Sequence, residues 1–268
     1  MTEKKDLPSI SRQISELILS GSTEHAEEVL NDTVEKFGDV AVIEVLDNME
    51  PQAASLHLSA FDGGKLSLAT LLVSPKAWAE SLAYFAASWG EDTIEDEPEI
   101  LAESLFAHIH GLLFAGDDLT RRVELIREAL ATDWGVTAFA VLFSTAPEAT
   151  IELANEFHDR GVQSINHTNS DHDVIPLAIE IAGCDEDAWD RVLFELFPDW
   201  HPGASHLRAA TENDEEDDED DAHYDDESVT GRSTKELLLR LRKQVPTKIK
   251  SKPTTKSTRP SLGEDIFE

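Results

Sequence analysis

The sequence predicts an all-α protein with at most a minor β element. We expect a helical bundle or a short helical-repeat body, followed by a disordered acidic linker and a basic tail. Three observations support this fold class. Apolar residues recur at helical spacing along most of the chain, prolines and glycines stand where helices would begin and end, and charged residues are sorted into distinct stretches.

The N-terminal region predicts two helices with clear ends. The segment RQISELILSG ends on Gly21, while STEHAEEVLNDTVEKFG begins with Ser22 and Thr23 and ends on Gly38. Serine and threonine oxygens accept hydrogen bonds from the free N–H groups of a first turn, and glycine readily closes a helix in the left-handed conformation.

Prolines and apolar spacing predict the later helices. Four prolines stand just ahead of a helical pattern, where the missing N–H costs least: Pro51, Pro75, Pro98 and Pro147. In DDLTRRVELIREALATDWG, the apolar residues Val123, Ile126 and Leu130 share one face. The segments VAVIEV and VTAFAVLF have the composition of strands, but their neighbours are helical, so we interpret both as buried helices.

Aromatic-glycine pairs suggest an internal repeat. Phe37-Gly38, Trp89-Gly90 and Trp134-Gly135 recur at intervals close to the period of paired-helix repeats, and the first and last are each followed by an apolar segment and a proline. The alternative is that an aromatic residue followed by glycine is simply a good helix ending. The sequence leaves both interpretations open.

Charge divides the chain into three regions. Residues 1–210 form an acidic body, residues 211–231 hold twelve acidic side chains and no lysine or arginine, and residues 232–268 hold ten basic and four acidic side chains. We expect the middle stretch to be a disordered linker because it has almost no apolar residues to bury. The predicted core lies before residue 211, so removal of residues 211–268 is expected to leave a folded body.

The net charge of −33 narrows the classes of partner. An acidic body repels nucleic-acid backbones and membrane surfaces, so we expect a basic or assembly-prone protein partner, no membrane, and no nucleic acid on the body. The single cysteine, Cys184, fits a reducing compartment, and no secretory leader or membrane span is readable. These features predict a cytoplasmic location.

The best concentration of metal-ligand residue types lies in FHDRGVQSINHTNSDHDV. It contains His158, Asp159, His167, Asp171 and His172, and imidazoles with carboxylates are common ligands of divalent transition metals. The His158-Asp159 pair on a helix resembles the signature of HD-type metal phosphohydrolases. That resemblance implies a metal-dependent hydrolase with further ligands on other helices, although the residues that follow the pair depart from the family pattern.

Two histidines upstream, His108 and His110, are the candidates for a further metal ligand from another helix of such an enzyme. Positions i and i+2 of a helix point in nearly opposite directions, so one metal cannot bind both. We expect one of these imidazoles to face the core and the other to face solvent.

The C-terminal region predicts docking elements. The segment STKELLLRLRKQ predicts an amphipathic helix with Leu237, Leu238 and Leu241 on one side. The same segment carries the basic residues Arg240, Arg242 and Lys243. The end of the chain, SLGEDIFE, places Leu262, Ile266 and Phe267 among acidic residues and has the character of a docking peptide.

These observations predict a non-enzymatic adaptor or assembly chaperone, without a cofactor, that binds protein partners through its acidic body and its tail. The layout is similar in composition to the acidic assembly chaperones and scaffolding proteins of tailed bacteriophages. Two alternatives remain. One is the all-α metal-dependent phosphohydrolase, and the other is an acidic inhibitor that mimics nucleic acid.

Overall fold

The computed structural model describes residues 6–59, 67–161, 174–200, 208–209 and 228–246, and its fold is all-α. Within these segments the helices are α1 (Leu7–Leu19), α2 (Thr23–Phe37), α3 (Asp39–Asp47), α4 (Pro51–Ser59), α5 (Leu68–Leu72), α6 (Pro75–Phe85), α7 (Glu91–Asp96), α8 (Pro98–Leu113), α9 (Leu119–Leu130), α10 (Asp133–Phe143), α11 (Pro147–Arg160), α12 (Val174–Cys184), α13 (Glu186–Leu196) and α14 (Thr234–Lys243). A 3₁₀ turn, Ala86–Ser88, follows α6.

The predicted all-α class is confirmed, and the β structure in the described segments is minimal. Two strands of two residues each, β1 (Arg208–Ala209) and β2 (Ser228–Val229), pair in parallel. Residues 211–227 of the predicted linker, and the tail beyond residue 246, lie outside the described residues.

The predicted helix starts and ends are largely confirmed. Each of the four prolines is the first residue of its helix, namely of α4, α6, α8 and α11. Gly38 separates α2 from α3 with a φ of 81°, a conformation that favours glycine. Ser22 stands at the N-terminus of α2, but its side chain makes no capping hydrogen bond.

Both strand-like segments form helices, as expected, but α10 is buried along the whole segment whereas α3 buries one face and leaves Val40 76% exposed. VAVIEV lies in α3, and VTAFAVLF lies in α10, where every residue from Gly135 to Phe143 is buried. Helix α10 packs against α6, α8, α9, α13 and α14. It is therefore the central helix of this part of the fold.

The three aromatic-glycine pairs have different structural roles. Gly38 connects two helices, Gly90 precedes α7 with an ordinary φ of −68°, and Gly135 lies inside α10. A Cβ atom on Gly135 would lie 1.9 Å from the carbonyl oxygen of Ala129, so glycine is required there by a close approach of two backbones. The pairs therefore do not mark one recurring helix ending.

A single apolar core extends from Leu7 to Leu241, and it includes α14. Leu237, Leu238 and Leu241 are each 0% exposed. This differs from the sequence-based boundary at residue 210, which assigned α14 to the tail, and from the expectation that the core lies entirely before residue 211. The physical reason is that complete burial of a leucine side chain stabilises a fold by about 1.5–3 kcal/mol, which favours docking of α14 onto the body.

Within the described segments, no single helix is both long and apolar enough to cross a membrane. Helices α10 and α11 meet the length and composition requirements only as a pair, and they are bent by 111° at their junction.

Candidate functional site

Helix α14 is attached to the body by an ionic network centred on Glu195 of α13. The Nε atom of Arg240 lies 2.6 Å from Glu195 Oε1, and Arg232 Nη1 lies 3.2 Å from Glu195 Oε2. The Thr137 hydroxyl donates to Oε1 at 3.0 Å and accepts a hydrogen bond from Gln244 Nε2. A side chain that is only 12% exposed thus joins α10, α13 and α14.

The two ends of α14 are also fixed. At its N-terminus, the hydroxyls of Thr234 and Ser144 lie 2.9 Å apart. At its C-terminus, Arg242 donates to the carbonyl oxygen of Trp89 at 3.1 Å and contacts Glu91 of α7. The N-terminus of α14 therefore lies next to the end of α10, and its C-terminus lies next to the start of α7.

The structure thus gives the predicted docking residues a different role. Leu237, Leu238 and Leu241 contact the body's own helices, so they are not available to a second protein in this conformation. Arg240 and Arg242 bind carboxylates of the body, whereas Lys243 is exposed. The remaining predicted docking residues lie outside the described residues: Leu262, Ile266 and Phe267.

The predicted metal ligands are only partly described. His158 and Asp159 lie exposed in the last turn of α11, while His167, Asp171 and His172 lie outside the described residues. No group of three or more metal-ligand side chains comes together in the described part of the chain.

His158 instead lines a cavity of about 310 Å³ together with Trp189 and Asp190. Burial and the nearby Asp187 and Glu186 raise the pKa of Asp190, while His158 opposes them.

His108 and His110 divide between core and surface, as the helical spacing predicts. His108 stacks on Phe85 with ring centroids 4.9 Å apart, and its Nε2 is buried without a hydrogen-bond partner among the described residues. Burial lowers the pKa of His108 to about 4, although a hydrogen bond to the backbone of Leu58 acts in the opposite direction. His110 is exposed and stacks on Phe114.

Sequence reasoning missed a buried polar cluster around Glu27 of α2. His57 Nε2 lies 3.1 Å from Glu27 Oε2, and the Ser67 hydroxyl donates to the same oxygen at 3.1 Å. The backbone N–H of Leu68 donates to Oε1 at 2.9 Å. Burial alone raises the pKa of Glu27, but the hydrogen bonds from His57, Leu68 and Ser67 outweigh it and hold that pKa below its ordinary value.

The cluster around Glu27 has a structural arrangement rather than a catalytic one. A nucleophilic triad needs the imidazole between the hydroxyl and the carboxylate, whereas here His57 and Ser67 both reach the same carboxylate oxygen. Ser67 also accepts the N–H of Ala69 and so caps α5. The cluster therefore fastens the start of α5 to α2 and α4.

The most distinctive surface is formed by α7 and the start of α8. Residues 91–103 carry seven carboxylates and no basic side chain, and all seven are exposed: Glu91, Asp92, Glu95, Asp96, Glu97, Glu99 and Glu103. We call these seven residues the acidic face. Glu91 is paired with Arg242, and the other six make no ion pair within the described part of the chain. Ile100 lies in the same stretch and is 58% exposed.

A groove adjoins the acidic face. It has a volume of about 500 Å³ and lies between α8, the end of α10, the start of α12 and the start of α14. Its lining is mixed: Ala102, Phe106 and Leu142 are apolar, Ser144, Thr145 and Thr234 contribute hydroxyls, and Glu99 and Glu103 of the acidic face contribute carboxylates. Carboxylates beside apolar side chains are suited to a segment that carries both positive charge and an apolar side chain.

Each of these features had only a partial signal in the sequence. The run of acids in residues 91–103 is visible there, but not the groove, because Leu142 and Thr234 come from distant segments. The spacing of the leucines in α14 indicated a buried face but not what covers it.

Comparison of this chain with protein-family models, with curated proteins and with solved structures finds no significant match.

Proposed function

We propose that this protein is a non-enzymatic adaptor or assembly chaperone whose acidic face binds a basic segment of a partner protein. The observation that carries the proposal is the acidic face itself, with six exposed carboxylates free of ion pairs in the described structure beside an apolar groove.

Electrostatics supports a basic partner. A surface with charges of one sign attracts an oppositely charged chain over roughly 10 Å at 0.1 M salt and raises the rate of association. The apolar side chains of Ala102 and Phe106 in the adjoining groove would then select segments that also carry an apolar residue.

The position of α14 preserves this negative surface. Arg232 and Arg240 pair with Glu195 and not with the acidic face, and within the described residues only Arg242 neutralises one of its members. The basic helix therefore stabilises the body without neutralising the acidic face.

The proposal extends to the class of partner and to location. An acidic body that holds a basic, assembly-prone protein is the arrangement expected of a chaperone of the phage tail-assembly or scaffolding type. A cytoplasmic location is part of the same proposal and is supported by the single cysteine.

The experiment is affinity capture from native cell extract with the full chain and two charge variants, followed by mass spectrometry. The first variant neutralises four residues of the acidic face: Asp92→Asn, Glu95→Gln, Asp96→Asn and Glu99→Gln. The second neutralises four exposed acids of α1, α2 and α3: Glu16→Gln, Glu24→Gln, Glu35→Gln and Glu44→Gln. Because exposed charge pairs contribute about 0.2–1 kcal/mol each, we expect the first variant to lose about tenfold in recovery of basic partners.

The control variant is expected to retain those partners, because it has the same net charge on a different surface. Equal recovery with both variants would contradict binding at the acidic face. Stoichiometric metal together with phosphate-ester hydrolysis in the purified chain would instead favour the metal-dependent hydrolase.

A further inference from the structure

We propose that the lysine-rich segment 247–259 of this same chain occupies the groove beside the acidic face, with its lysines on the carboxylates of α7 and α8. The inference goes beyond the proposed function because it names an occupant within the chain. It rests on the proposed function in one respect, because both proposals take the acidic face as the surface that binds the partner.

Charge complementarity is the first argument. The segment TKIKSKPTTKSTR carries five basic residues and no acidic residue, namely Lys248, Lys250, Lys252, Lys256 and Arg259. Ile249 lies between two of these lysines, just as Ile100 lies among the carboxylates of the acidic face. A cationic segment with an apolar side chain matches a groove that combines the carboxylates of Glu99 and Glu103 with apolar side chains.

The place where the described chain ends is the second argument. Arg242 contacts Glu91, so the C-terminus of α14 lies at the start of α7, which is the near end of the acidic face. Thr234, at the opposite end of α14, lines the groove. Helix α14 is ten residues long, so these two points are separated by about 15 Å along its axis.

The available length of chain is the third argument. An extended chain covers about 3.3 Å per residue, so about five residues suffice to return from the end of α14 to the groove. The exposed carboxylates Asp92, Glu95 and Asp96 of α7 come between Glu91, which contacts Arg242, and Glu99, which lines the groove. Residues near Lys250 and Lys252 would then lie beside Glu99 and Glu103.

The functional consequence is competition. When no partner is bound, the segment covers the groove and neutralises part of the acidic face. A partner with more positive charge or a better apolar anchor displaces it, so weakly basic proteins are excluded. The segment thus sets a threshold for binding.

The test is zero-length carbodiimide cross-linking of the full chain at low micromolar concentration, with the sites identified by mass spectrometry. The reagent joins a lysine amine to a carboxylate within contact distance. We expect cross-links from Lys248, Lys250 or Lys252 to Glu95, Asp96, Glu99 or Glu103 within one chain. Their yield should fall severalfold at 0.5 M NaCl because salt screens exposed charges.

The chain supplies an internal positive control. Lys36 Nζ lies 3.0 Å from Asp32 Oδ2 on the exposed surface of α2, so this pair should cross-link in every sample at low salt. The variant Ile249→Ser should lower the yield of the tail cross-links severalfold, whereas Ile266→Ser should leave it unchanged.

Three results would overturn the proposal. They are the absence of the tail cross-links while Lys36–Asp32 forms, cross-links from these lysines mainly to residues 212–227, and cross-links between isotopically distinct copies of the chain. None of them alters the outcome of the affinity capture, so failure of this inference is distinguishable from failure of the proposed function.

Discussion

Two partly buried carboxylates hold two different regions of the molecule, and they do so by different means. Glu27 is 17% exposed and binds an imidazole, a hydroxyl and a backbone N–H, whereas Glu195 is 12% exposed and binds two guanidinium groups and a hydroxyl. Glu27 fastens α5, whose only fully buried residue is Ala69, and Glu195 orients α14, which buries three leucines. The comparison indicates that α5 depends on hydrogen bonds, while α14 depends on apolar burial and uses ion pairs to set its position.

The largest expected effect is loss of α14. A chain that ends at residue 231 lacks Leu237, Leu238 and Leu241, whose burial stabilises the fold by about 5–9 kcal/mol in total as an upper estimate. That amount is comparable to the whole stability of a typical domain, so we expect no cooperative thermal transition by circular dichroism.

A chain that ends at residue 246 is the control for this truncation, and it should keep a cooperative transition because it retains α14. If the chain ending at residue 231 melted like the full protein, α14 would be dispensable and the part of the comparison that concerns α14 would fail.

The next effect is expected at Glu195. The substitution Glu195→Gln leaves Arg240 without a carboxylate and Arg232 with only the exposed Glu236, and we expect it to cost about 1–3 kcal/mol because both guanidiniums retain some contact with water. The measurement is the midpoint of urea-induced unfolding, compared between chains whose free energy of unfolding depends on urea with the same slope. The control is Glu236→Gln, because Glu236 also pairs with Arg232 but is 60% exposed, and it should cost less than about 0.5 kcal/mol. Equal costs would show that burial of Glu195 adds nothing.

The burial of His108 predicts that the stability of the fold depends on pH. His108 lies near α4, where it forms a hydrogen bond with the backbone of Leu58. Burial lowers the pKa of His108 from 6.5 to about 4, so the unfolded chain binds the proton more readily than the folded chain. The stability contributed by this group is therefore complete above pH 6.5 and is lost as the pH falls toward 4. We expect a loss of about 1–2 kcal/mol between pH 7 and pH 5.

The measurement for His108 is the free energy of unfolding across that pH range. His108→Gln should flatten the profile relative to the parent chain, whereas His110→Gln, on the exposed face of the same helix, should leave its shape unchanged. A profile that is the same in all three chains would contradict the burial of this imidazole.

The smallest effect is expected at Glu27. The pKa of this carboxyl is lowered by its hydrogen bonds, so its contribution to stability is complete above its ordinary pKa of 4.5 and is lost as the pH falls through the lower folded value. Glu27→Gln should cost about 1 kcal/mol at pH 7, and the difference should shrink toward pH 3. The matched control is the neighbouring Glu28→Gln, because Glu28 pairs with His25 but is 75% exposed. A cost that does not change with pH would contradict a role for the ionised carboxylate.

Much of the helical framework was predictable because its signals are local. A proline at the first position of α4, α6, α8 and α11 needs no distant partner, and an acidic stretch such as residues 91–103 is visible without a fold. The burial of α10 and of one face of α3 followed from their apolar composition. The opposite environments of His108 and His110 followed from helical spacing alone.

The pairing of distant groups was not predictable. Glu27 meets His57 and Ser67, which are 30 and 40 residues away, and Glu195 meets Arg232 across 37 residues. Nothing in local spacing selects one carboxylate among the 55 acidic residues of the chain for such a role. Only the packing of the helices brings these donors and acceptors together.

The sequence by itself determined the helical class, most helix starts and the excess of negative charge, since these depend on residue type and on spacing within one turn or two. The tertiary structure decided that α14 belongs to the core, that Glu27 and Glu195 are anchoring groups, and that the acidic face borders a groove. The physical reason is that burial depends on which surfaces meet. The amphipathic pattern of Leu237, Leu238 and Leu241 required an apolar partner, and only the fold identified that partner as α10 and its neighbours.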